Sequence, residues 1–291
     1  MGPTASGKTA AAIALARHYN TKIISFDSRQ FYNEMSVGTA KPSVEELSSA
    51  QHHFIGHKSV VDPYTAGLFA RDADDKLAEL SKKHGVVIAV GGSGLFLKAW
   101  TEGLDEMPQA DEATRLELQT IFEREGISPL QRMLLERDEA YYRRVDLFNP
   151  RRLIRALEVS IAAGRPYSSF LQQTSKSRDY ALVRIGLSPG RKELYERIDA
   201  RVDLMMRRGL LEEAERLLPY RDLKPLQTVG YSELFEFFDG TVSLESAVEK
   251  IKRHTRNYAK RQFTWFRKDK PDVWMESFGL RQAIATVEAK R

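Results

Sequence analysis

The strongest constraint on the fold is the segment GPTASGKT at residues 2–9. It fits the pattern G-x-x-x-x-G-K-[ST] at every fixed position, and an Ala-rich helical pattern follows at once. Glycines at those positions let backbone N–H groups and the start of the helix surround a phosphate closely. The segment therefore predicts a P-loop, and with it an α/β protein that binds a diphosphate-like group on a small ligand.

A P-loop normally hangs from the end of a buried strand, whereas here only Met1 precedes Gly2. Without that strand the sheet would contain a gap and the loop would be poorly anchored. We therefore expect that the sequence begins downstream of the natural start.

Apolar patterns beyond the P-loop divide the chain into an α/β part and a helical part. A helical pattern at 9–19 is followed by a β-favouring run at 22–26, and a second helical pattern at 65–83 is followed by the apolar run at 86–90. Helices that alternate with buried strands indicate a parallel sheet. We predict an α/β fold with a P-loop NTPase-like parallel sheet, flanking helices and an all-helical insertion domain.

The predicted insertion covers residues 108–175, because three helical patterns and no convincing strand occur there. Residues 1–107 and 176–291 are expected to form the catalytic core. The helices predicted in the insertion are 111–125, 129–137 and 151–163. The elements predicted after it are a strand at 182–187, helices at 191–208, 210–218 and 243–266, and a short strand at 273–275.

The composition excludes several classes of protein. The chain contains no cysteine, so disulfide scaffolds, Cys-ligated zinc and thiol catalysis are excluded. No apolar run approaches the roughly 18 residues of a membrane span, and no secretory signal is visible. We therefore expect a cytoplasmic protein without a membrane partner.

A carboxylate is expected beside the P-loop. Asp27 ends the apolar run that starts at Ile23, and ligands of open α/β sheets bind beyond the carboxyl ends of the strands. Asp27 could hold Mg²⁺ or act as a general base on an acceptor, and a turn or helix cap is the structural alternative. Residues 29–32 could stack on a base or pack as a plain loop. The glycine-rich turn at 90–94 permits either close approach of a ligand or a tight strand–helix connection.

Two basic segments indicate a polyanionic partner in a chain whose net charge is 45 − 40 = +5. Residues 143–165 contain six arginines against two acids, and residues 252–270 contain eight Lys or Arg against one acid. Lys252, Arg256 and Lys260 recur at helical spacing, which predicts one positive helix face with aromatic residues interleaved. A solvated helix face is the alternative interpretation of each segment.

On these residues alone, three functions stay open. A P-loop kinase of a small metabolite or nucleoside would use Asp27 as the base on a hydroxyl group. An RNA-modifying prenyltransferase would use the basic segments to hold RNA. A non-enzymatic RNA-binding ATPase has no support from a recognisable RRM, KH or OB signature.

Eight segments taken together resemble the tRNA dimethylallyltransferases, also called tRNA isopentenyltransferases or IPP transferases. The resemblance is near full length, and DSRQ-x-Y, GTAKP, RRLIRALE and KRQ-x-TWFR are far more specific than the P-loop. The segments are GPTASGKT (2–9), ISFDSRQFY (24–32), VGTAKP (37–42), VGGSGLF (90–96), NPRRLIRALEV (149–159), RKELYERIDAR (191–201), QTVGYSEL (227–234) and AKRQFTWFR (259–267).

The resemblance implies transfer of a dimethylallyl group from dimethylallyl diphosphate to N6 of adenine 37, beside the anticodon of tRNA, with Mg²⁺ as the cofactor. It implies that the P-loop grips the diphosphate rather than ATP, and that the helical insertion binds the anticodon stem-loop. We expect a monomer. Adenylate isopentenyltransferase is a related alternative, although the long insertion and the basic helix favour tRNA as the acceptor.

The resemblance also implies roles for single residues. Asp27 corresponds to the general base, Lys8 and Arg201 would neutralise the leaving diphosphate, and Thr9 would help to hold the diphosphate and Mg²⁺. Ser93 stands where the family more often has Thr, so the hydroxyl and its role are expected to survive. The expected diphosphate-binding residues are Gly2, Thr4, Ala5, Ser6, Gly7, Lys8 and Thr9. The expected tRNA-binding residues are Asp27, Ser28, Arg29, Gln30, Ser93, Arg115, Arg151, Arg152, Leu153, Ile154, Arg155, Lys260 and Arg261.

Overall fold

The computed structural model describes residues 1–108, 111–171 and 178–291. The chain forms two compact units: a core unit, Met1–Thr101 with Ser177–Arg291, and a helical unit, Glu102–Lys176. The described part of the helical unit contains helices and no strand. The predicted border between residues 175 and 176 lies outside the described residues.

Most helices follow the sequence prediction, with shifts of a few residues at their ends. They are α1 (Lys8–His18), α2 (Val44–Ser49), α3 (Ala66–Ser81), α4 (Gly94–Thr101), α5 (Glu112–Glu125), α6 (Ser128–Arg137), α7 (Glu139–Tyr142), α8 (Pro150–Ala163), α9 (Arg191–Arg207), α10 (Leu210–Leu217), α11 (Tyr231–Phe238), α12 (Leu244–Lys268) and α13 (Leu280–Glu288). Helices α2, α7, α11 and α13 were not predicted, because segments of fewer than three turns give little periodic signal. Within the described ranges, none of the helices has both the length and the apolar character needed to cross a membrane.

Two small parallel sheets lie in the core unit. In the first, β1 (Ile23–Ser25) pairs with β2 (His52–His53) on one side and β3 (Ile88–Val90) on the other. In the second, β4 (Ile185–Leu187) pairs with β5 (Val273–Met275). All of β1 is buried, as is typical of a parallel strand covered on both faces. The predicted α/β class is confirmed, although β2 was missed because two adjacent histidines give no apolar signal.

The P-loop begins directly beside β4. The Met1 amino group donates to the Ile185 carbonyl at 2.7 Å, and the Leu187 N–H donates to the Met1 carbonyl at 2.9 Å. Met1 therefore pairs with β4 as a strand residue would. A cavity of about 440 Å³ is lined by residues of β3, β4 and α1, and no strand among the described residues pairs with both β3 and β4.

Glu213 of α10 fixes the loop at residues 36–38, between β1 and α2. Its carboxylate accepts the N–H groups of Ser36, Val37 and Gly38 at 2.8–2.9 Å and the Tyr231 hydroxyl at 2.7 Å. Both Glu213 and Tyr231 are buried, and burial together with the Glu213 charge raises the pKa of Tyr231 far above its ordinary value. A buried carboxylate is tolerated when its oxygens are satisfied, and here four donors satisfy them.

The helical unit has its own apolar core, which α5, α6 and α8 provide. Leu130, Leu134, Leu153 and Leu157 are fully buried in it. Helix α8 starts sharply, because the Asn149 side chain accepts the Arg152 N–H and the next residue is a proline, which suits the first helical position. The buried leucines of α8 therefore determine which of its residues face away from this core.

We expect Glu213→Ala to lower the free energy of unfolding by roughly 3 kcal/mol, because three backbone N–H groups and a buried hydroxyl lose their partner. Glu215→Ala, at an exposed position of the same helix, should change it by less than about 0.5 kcal/mol. Urea unfolding followed by circular dichroism measures both. A loss as small in Glu213→Ala as in Glu215→Ala would contradict the role given to this carboxylate.

Candidate functional site

The P-loop has the backbone geometry of an anion cradle. Gly7, the N-cap of α1, has a φ of +86°, which suits glycine, and a Cβ on Gly2 would stand 2.7 Å from the Leu187 carbonyl oxygen. Ala5, between the two glycines, has a φ of +61° although it is not glycine, so the loop is strained there. The Ser6 hydroxyl is buried and has no partner among the described residues, so a ligand oxygen could satisfy it.

Three side chains hold the P-loop from different elements. The Lys8 ammonium donates to the Pro3 carbonyl at 2.5 Å. The Arg201 guanidinium, on α9, donates to the Thr4 hydroxyl at 3.0 Å, and the Gln262 amide oxygen, on α12, accepts the Thr4 N–H at 2.8 Å. The structure thus brings Arg201 to the loop from far along the chain, together with a glutamine that the sequence analysis did not predict.

The two cations at the P-loop are poorly hydrated. Burial lowers the pKa of Lys8 from 10.5 to about 8, while the Asp27 carboxylate raises it and Arg201 lowers it further. Burial also lowers the pKa of Arg201, and the Asp27 charge opposes that shift. Because water scarcely reaches these two groups, an anionic ligand would supply the charge compensation that hydration does not. Lys8, Arg201 and Asp27 therefore form one charged cluster at the P-loop.

Asp27 lies two residues after the end of β1, at the edge where the ligand was expected. Its Oδ1 atom accepts the Arg29 N–H at 3.2 Å, and its backbone carbonyl accepts the Gln30 N–H at 3.0 Å. No hydrogen bond within the described residues involves Oδ2, so this oxygen is open to a hydrogen bond from a ligand. Ser28 is joined to Ser93 by two hydrogen bonds of 2.9 Å, from the Ser28 N–H and between the two hydroxyls. The loops after β1 and β3 therefore meet at Asp27.

Arg29 and Gln30 use part of their hydrogen-bonding capacity inside the protein. Arg29 donates to the Pro225 carbonyl at 2.9 Å, and the Gln30 amide donates to the carbonyls of Thr39 and Ala40 at 3.2 and 2.9 Å. The Arg29 bond fixes the loop after β1 to the segment that contains Pro225, and the Gln30 bonds fix it to the GTAKP segment. The remaining N–H groups of Arg29 and the amide oxygen of Gln30 can still contact a partner.

Helix α12 divides its cations into two groups. Lys252 pairs with Asp203 at 2.8 Å and Arg256 pairs with Asp199 at 2.5 Å, both acids on α9. The prediction of a positive face through Lys252, Arg256 and Lys260 is therefore wrong for the first two, because α9 neutralises them. The last turns of α12 carry an open groove instead. Its lining residues are Asn257, Lys260, Arg261, Thr264, Trp265 and Lys268.

The predicted tRNA-contacting arginines of the helical unit also fall into two groups. Arg151 and Arg152 are exposed in the first turn of α8, which contains no acid. Arg115 and Arg155 instead pair with the buried carboxylate of Glu158, at 2.5 and 3.5 Å. Their side chains are still about half exposed, at 48% and 43%, so each can present part of its guanidinium outward.

The apolar positions of the predicted tRNA segment behave differently from its arginines. The Leu153 side chain is fully buried in the core of the helical unit, so only the backbone of Leu153 is left for the predicted tRNA contact, which stays a prediction. Ile154 packs partly against the same core. Phe148, which was not predicted, is 85% exposed just before α8. An exposed aromatic ring between two pairs of arginines suits base stacking, and that spacing was the overlooked signal.

Two buried polar residues of the core unit were also missed. Glu213 lies among the buried apolar positions Leu210 and Ala214 of α10, and Gln262 lies among those of α12. A single polar residue on an apolar helix face must find partners inside the protein, and that was the available signal. The sequence could not show which loops supply those partners.

Magnesium can be accommodated without a dedicated cluster of protein ligands. The described residues contain no group of three or more His, Asp or Glu side chains that could bind a metal. Mg²⁺ usually keeps several waters and is bound through one or two protein oxygens together with substrate phosphates. Thr9, in the first turn of α1, and Asp27 are oxygen donors of that kind.

Comparison with known proteins gives consistent matches over nearly the whole chain. Residues 30–269 match the IPP transferase family profile. A tRNA dimethylallyltransferase from Christiangramia forsetii is 52% identical over 276 residues, which cover 95% of this chain and 91% of that relative. The crystal structure of the full-length tRNA isopentenylpyrophosphate transferase from Bacillus halodurans is 35% identical, with a TM-score of 0.70, and the match covers 99% of this chain and 92% of that one.

A eukaryotic dimethylallyltransferase, whose crystallographic snapshots show it acting on tRNA, shares the fold. Its TM-score is 0.76 at 24% identity, and the match covers 99% of this chain and 75% of that one. The family profile, the relatives and the solved structures therefore all indicate the family that the sequence segments resemble. The chain belongs to the IPP transferase family.

Proposed function

We propose that this protein transfers a dimethylallyl group from dimethylallyl diphosphate to N6 of adenine 37 in tRNA. Family membership supports prenyl transfer to tRNA. The observation that supports the residue assignments is the cluster of Asp27, Lys8 and Arg201. In it, a carboxylate oxygen that has no hydrogen bond within the described part of the chain lies beside two poorly hydrated cations. One end of such a cluster can accept a proton while the other receives a leaving anion.

In the proposed reaction, the adenine N6 attacks C1 of the dimethylallyl group while the bond from C1 to the diphosphate oxygen breaks. The electron pair of that bond leaves with the diphosphate, and Asp27 accepts the proton that N6 loses. Lys8 and Arg201 neutralise the charge that grows on the leaving oxygen, where low hydration strengthens their effect. Backbone N–H groups at Gly7, Lys8 and Thr9 hold the phosphates at the start of α1.

When bound, Mg²⁺ would supply further positive charge to the diphosphate. The chain would hold it through the Thr9 hydroxyl and through the substrate phosphates, as the sparse oxygen donors of the site suggest. In this proposal, proton transfer and part of the charge neutralisation remain with Asp27, Lys8 and Arg201.

The acceptor adenine must leave its stack in the anticodon loop to reach Asp27, at a cost of a few kcal/mol. In this proposal the loop after β1, the Ser28–Ser93 pair and the end of α12 contact RNA in the core unit. Arg151, Arg152 and Phe148 contact RNA in the helical unit. Arginines with an exposed aromatic ring suit an unpaired loop, whose phosphates and bases are both accessible.

The decisive test is transfer of label from dimethylallyl diphosphate to unmodified tRNA in the presence of Mg²⁺. Label should enter tRNA and should be lost when adenine 37 is changed to guanine. ATP hydrolysis and prenylation of free AMP are measured alongside. Turnover of ATP, or label in AMP but not in tRNA, would contradict the proposal and indicate a kinase or an adenylate isopentenyltransferase.

We expect Asp27→Asn to reduce the transfer rate by more than about 100-fold, because an amide keeps the bond to the Arg29 N–H but cannot accept the N6 proton. Affinity for tRNA should change little. Asp75→Asn, at an exposed position on α3, is the matched control and should retain full activity. Single-turnover transfer checks the rate, and an unchanged rate in Asp27→Asn would remove Asp27 from the chemistry.

Diphosphate affinity should weaken above pH 8, because Lys8 has a lowered pKa of about 8 in the free protein and is charged when it binds an anion. Above that pH, binding requires uptake of a proton, so the affinity should fall by up to about tenfold per pH unit. Calorimetric titration of dimethylallyl diphosphate without RNA measures this. Lys8→Arg should bind with little pH dependence, since guanidinium stays protonated; the same slope in both proteins would assign the titration to another group.

Arg152→Ala should weaken binding of an anticodon stem-loop and reduce the slope of log affinity against log salt by about one. Dimethylallyl diphosphate affinity should be unaffected. Arg143→Ala is the control, because Arg143 is exposed in the same unit but already pairs with Glu139 at 2.6 Å. Equal effects of the two substitutions, measured by fluorescence anisotropy at several salt concentrations, would mean that Arg152 contributes only general charge.

A further inference from the structure

Gln262 is a buried amide on the otherwise apolar inner face of α12. Only 6% of it is exposed, and Ala259 and Phe266, at neighbouring positions of the same face, are buried too. A buried amide destabilises the protein unless its oxygen and its NH₂ group both find partners. At this position, both the oxygen and the NH₂ group of the amide therefore need hydrogen-bond partners inside the protein.

The two ends of the Gln262 amide join two different loops of the site. The Oε1 atom accepts the Thr4 N–H of the P-loop at 2.8 Å. The Nε2 group donates to the carbonyl of Gly92, in the loop between β3 and α4, also at 2.8 Å. One side chain thus joins the P-loop to the loop between β3 and α4.

On the P-loop side, the bond falls at a strained point. Ala5, the residue after Thr4, has a left-handed backbone with φ at +61°. A conformation of this kind persists only where surrounding contacts enforce it. Gln262 holds the Thr4 backbone and Arg201 holds the Thr4 hydroxyl, so these two tethers fix the residue next to the strain.

The second bond of Gln262 falls close to Asp27. A Cβ on Gly92 would stand 3.6 Å from the Asp27 Oδ2 atom and 2.4 Å from the Gln262 Nε2 atom. The next residue, Ser93, makes the two bonds to Ser28. The loop that Gln262 holds through Gly92 therefore lies next to Asp27 and is bonded to the residue that follows it.

We propose that Gln262 is a positioning residue that sets the distance between the P-loop and Asp27, and so between the leaving diphosphate and the general base. This inference rests on the proposed function. Gln262 takes no part in the bond changes; it acts through Thr4 and Gly92. Misplacement of reacting groups by about 1 Å can cost about 100-fold in rate, so a tether of this kind has a measurable effect on turnover.

The polarity of the side chain makes the proposal specific. The amide oxygen accepts the Thr4 N–H, and the NH₂ group donates to the Gly92 carbonyl and also hydrogen-bonds to the Tyr258 side chain. An ionised carboxylate of the same size keeps the acceptor but places a charged oxygen against the Gly92 carbonyl. A protonated carboxyl restores the donor.

Burial and the nearby Asp27 carboxylate raise the pKa of a carboxyl group at this position, whereas Lys8 and Arg201 at the P-loop lower it. Tyr258, whose pKa is raised to about 12, stays neutral. Burial is the largest cause of the pKa shifts of Lys8, Arg201 and Tyr258, so we expect it to dominate here too, and such a replacement would regain its fit as the pH falls.

The test compares Gln262→Glu, Gln262→Met and the control Gln282→Glu, which makes the same change at an exposed position of α13. We expect both Gln262 variants to lower kcat at pH 8 by at least tenfold, with KM for tRNA within twofold of the wild type. From pH 8 to pH 6, the kcat of Gln262→Glu relative to wild type should rise at least threefold, whereas that of Gln262→Met should stay flat. Gln282→Glu should match the wild type throughout.

Retention of kcat within twofold in Gln262→Met would overturn the proposal, as would identical pH profiles for the two Gln262 variants. Amide hydrogen exchange gives a reading that does not depend on the reaction. Exchange at residues 4–8 and 91–93 should speed up in Gln262→Met and not in Gln282→Glu, and unchanged exchange would also overturn it. Absence of prenylated tRNA with the wild type would instead contradict the proposed function, while the exchange result would still decide whether Gln262 holds the two loops.

Discussion

The site depends on keeping two cations where water is scarce. Lys8 and Arg201 both have pKa values lowered by burial, and the Asp27 carboxylate partly offsets that effect for each. A charge held in this way is stabilised more strongly by an added anion than a fully hydrated one would be. The P-loop, the strained Ala5 and the tethers on Thr4 serve to hold those charges in place before any ligand arrives. The unsatisfied Ser6 hydroxyl points to the same ligand.

Helix α12, which the sequence shows as one basic segment, has two halves with different roles. Its first half turns Lys252 and Arg256 towards acids of α9, which ties together the two helices that carry Gln262 and Arg201. Its second half leaves Lys260 and Arg261 exposed beside Trp265, while Gln262 on the inner face holds the P-loop. Charge along a helix therefore does not identify a binding face until the acids on neighbouring helices are known.

The sequence was most informative where a motif fixes local geometry. The P-loop, the position of Asp27 at the end of β1 and the parallel strands follow from spacing and apolar runs, because those features depend on residues close in the chain. The strand His52–His53 and the partners of Glu213 and Gln262 depend on residues far away in sequence. Gln262 illustrates the limit: its motif was visible, yet the two loops that it joins are separated from it by 258 and 170 residues.

The arginines of the helical unit show how packing refines a list of expected contacts. Glu158 is buried, and a buried carboxylate requires partners, so Arg115 from α5 and Arg155 from its own helix supply them. Part of the charge expected to face RNA thus fixes α5 to α8. Leu153, in the same segment, belongs wholly to the core. What α8 presents outward is narrower than the motif. Its first turn carries two exposed arginines that form no ion pair within the described residues, and an exposed aromatic ring precedes them. Such a group suits the phosphates and bases of the unpaired RNA loop proposed as its partner.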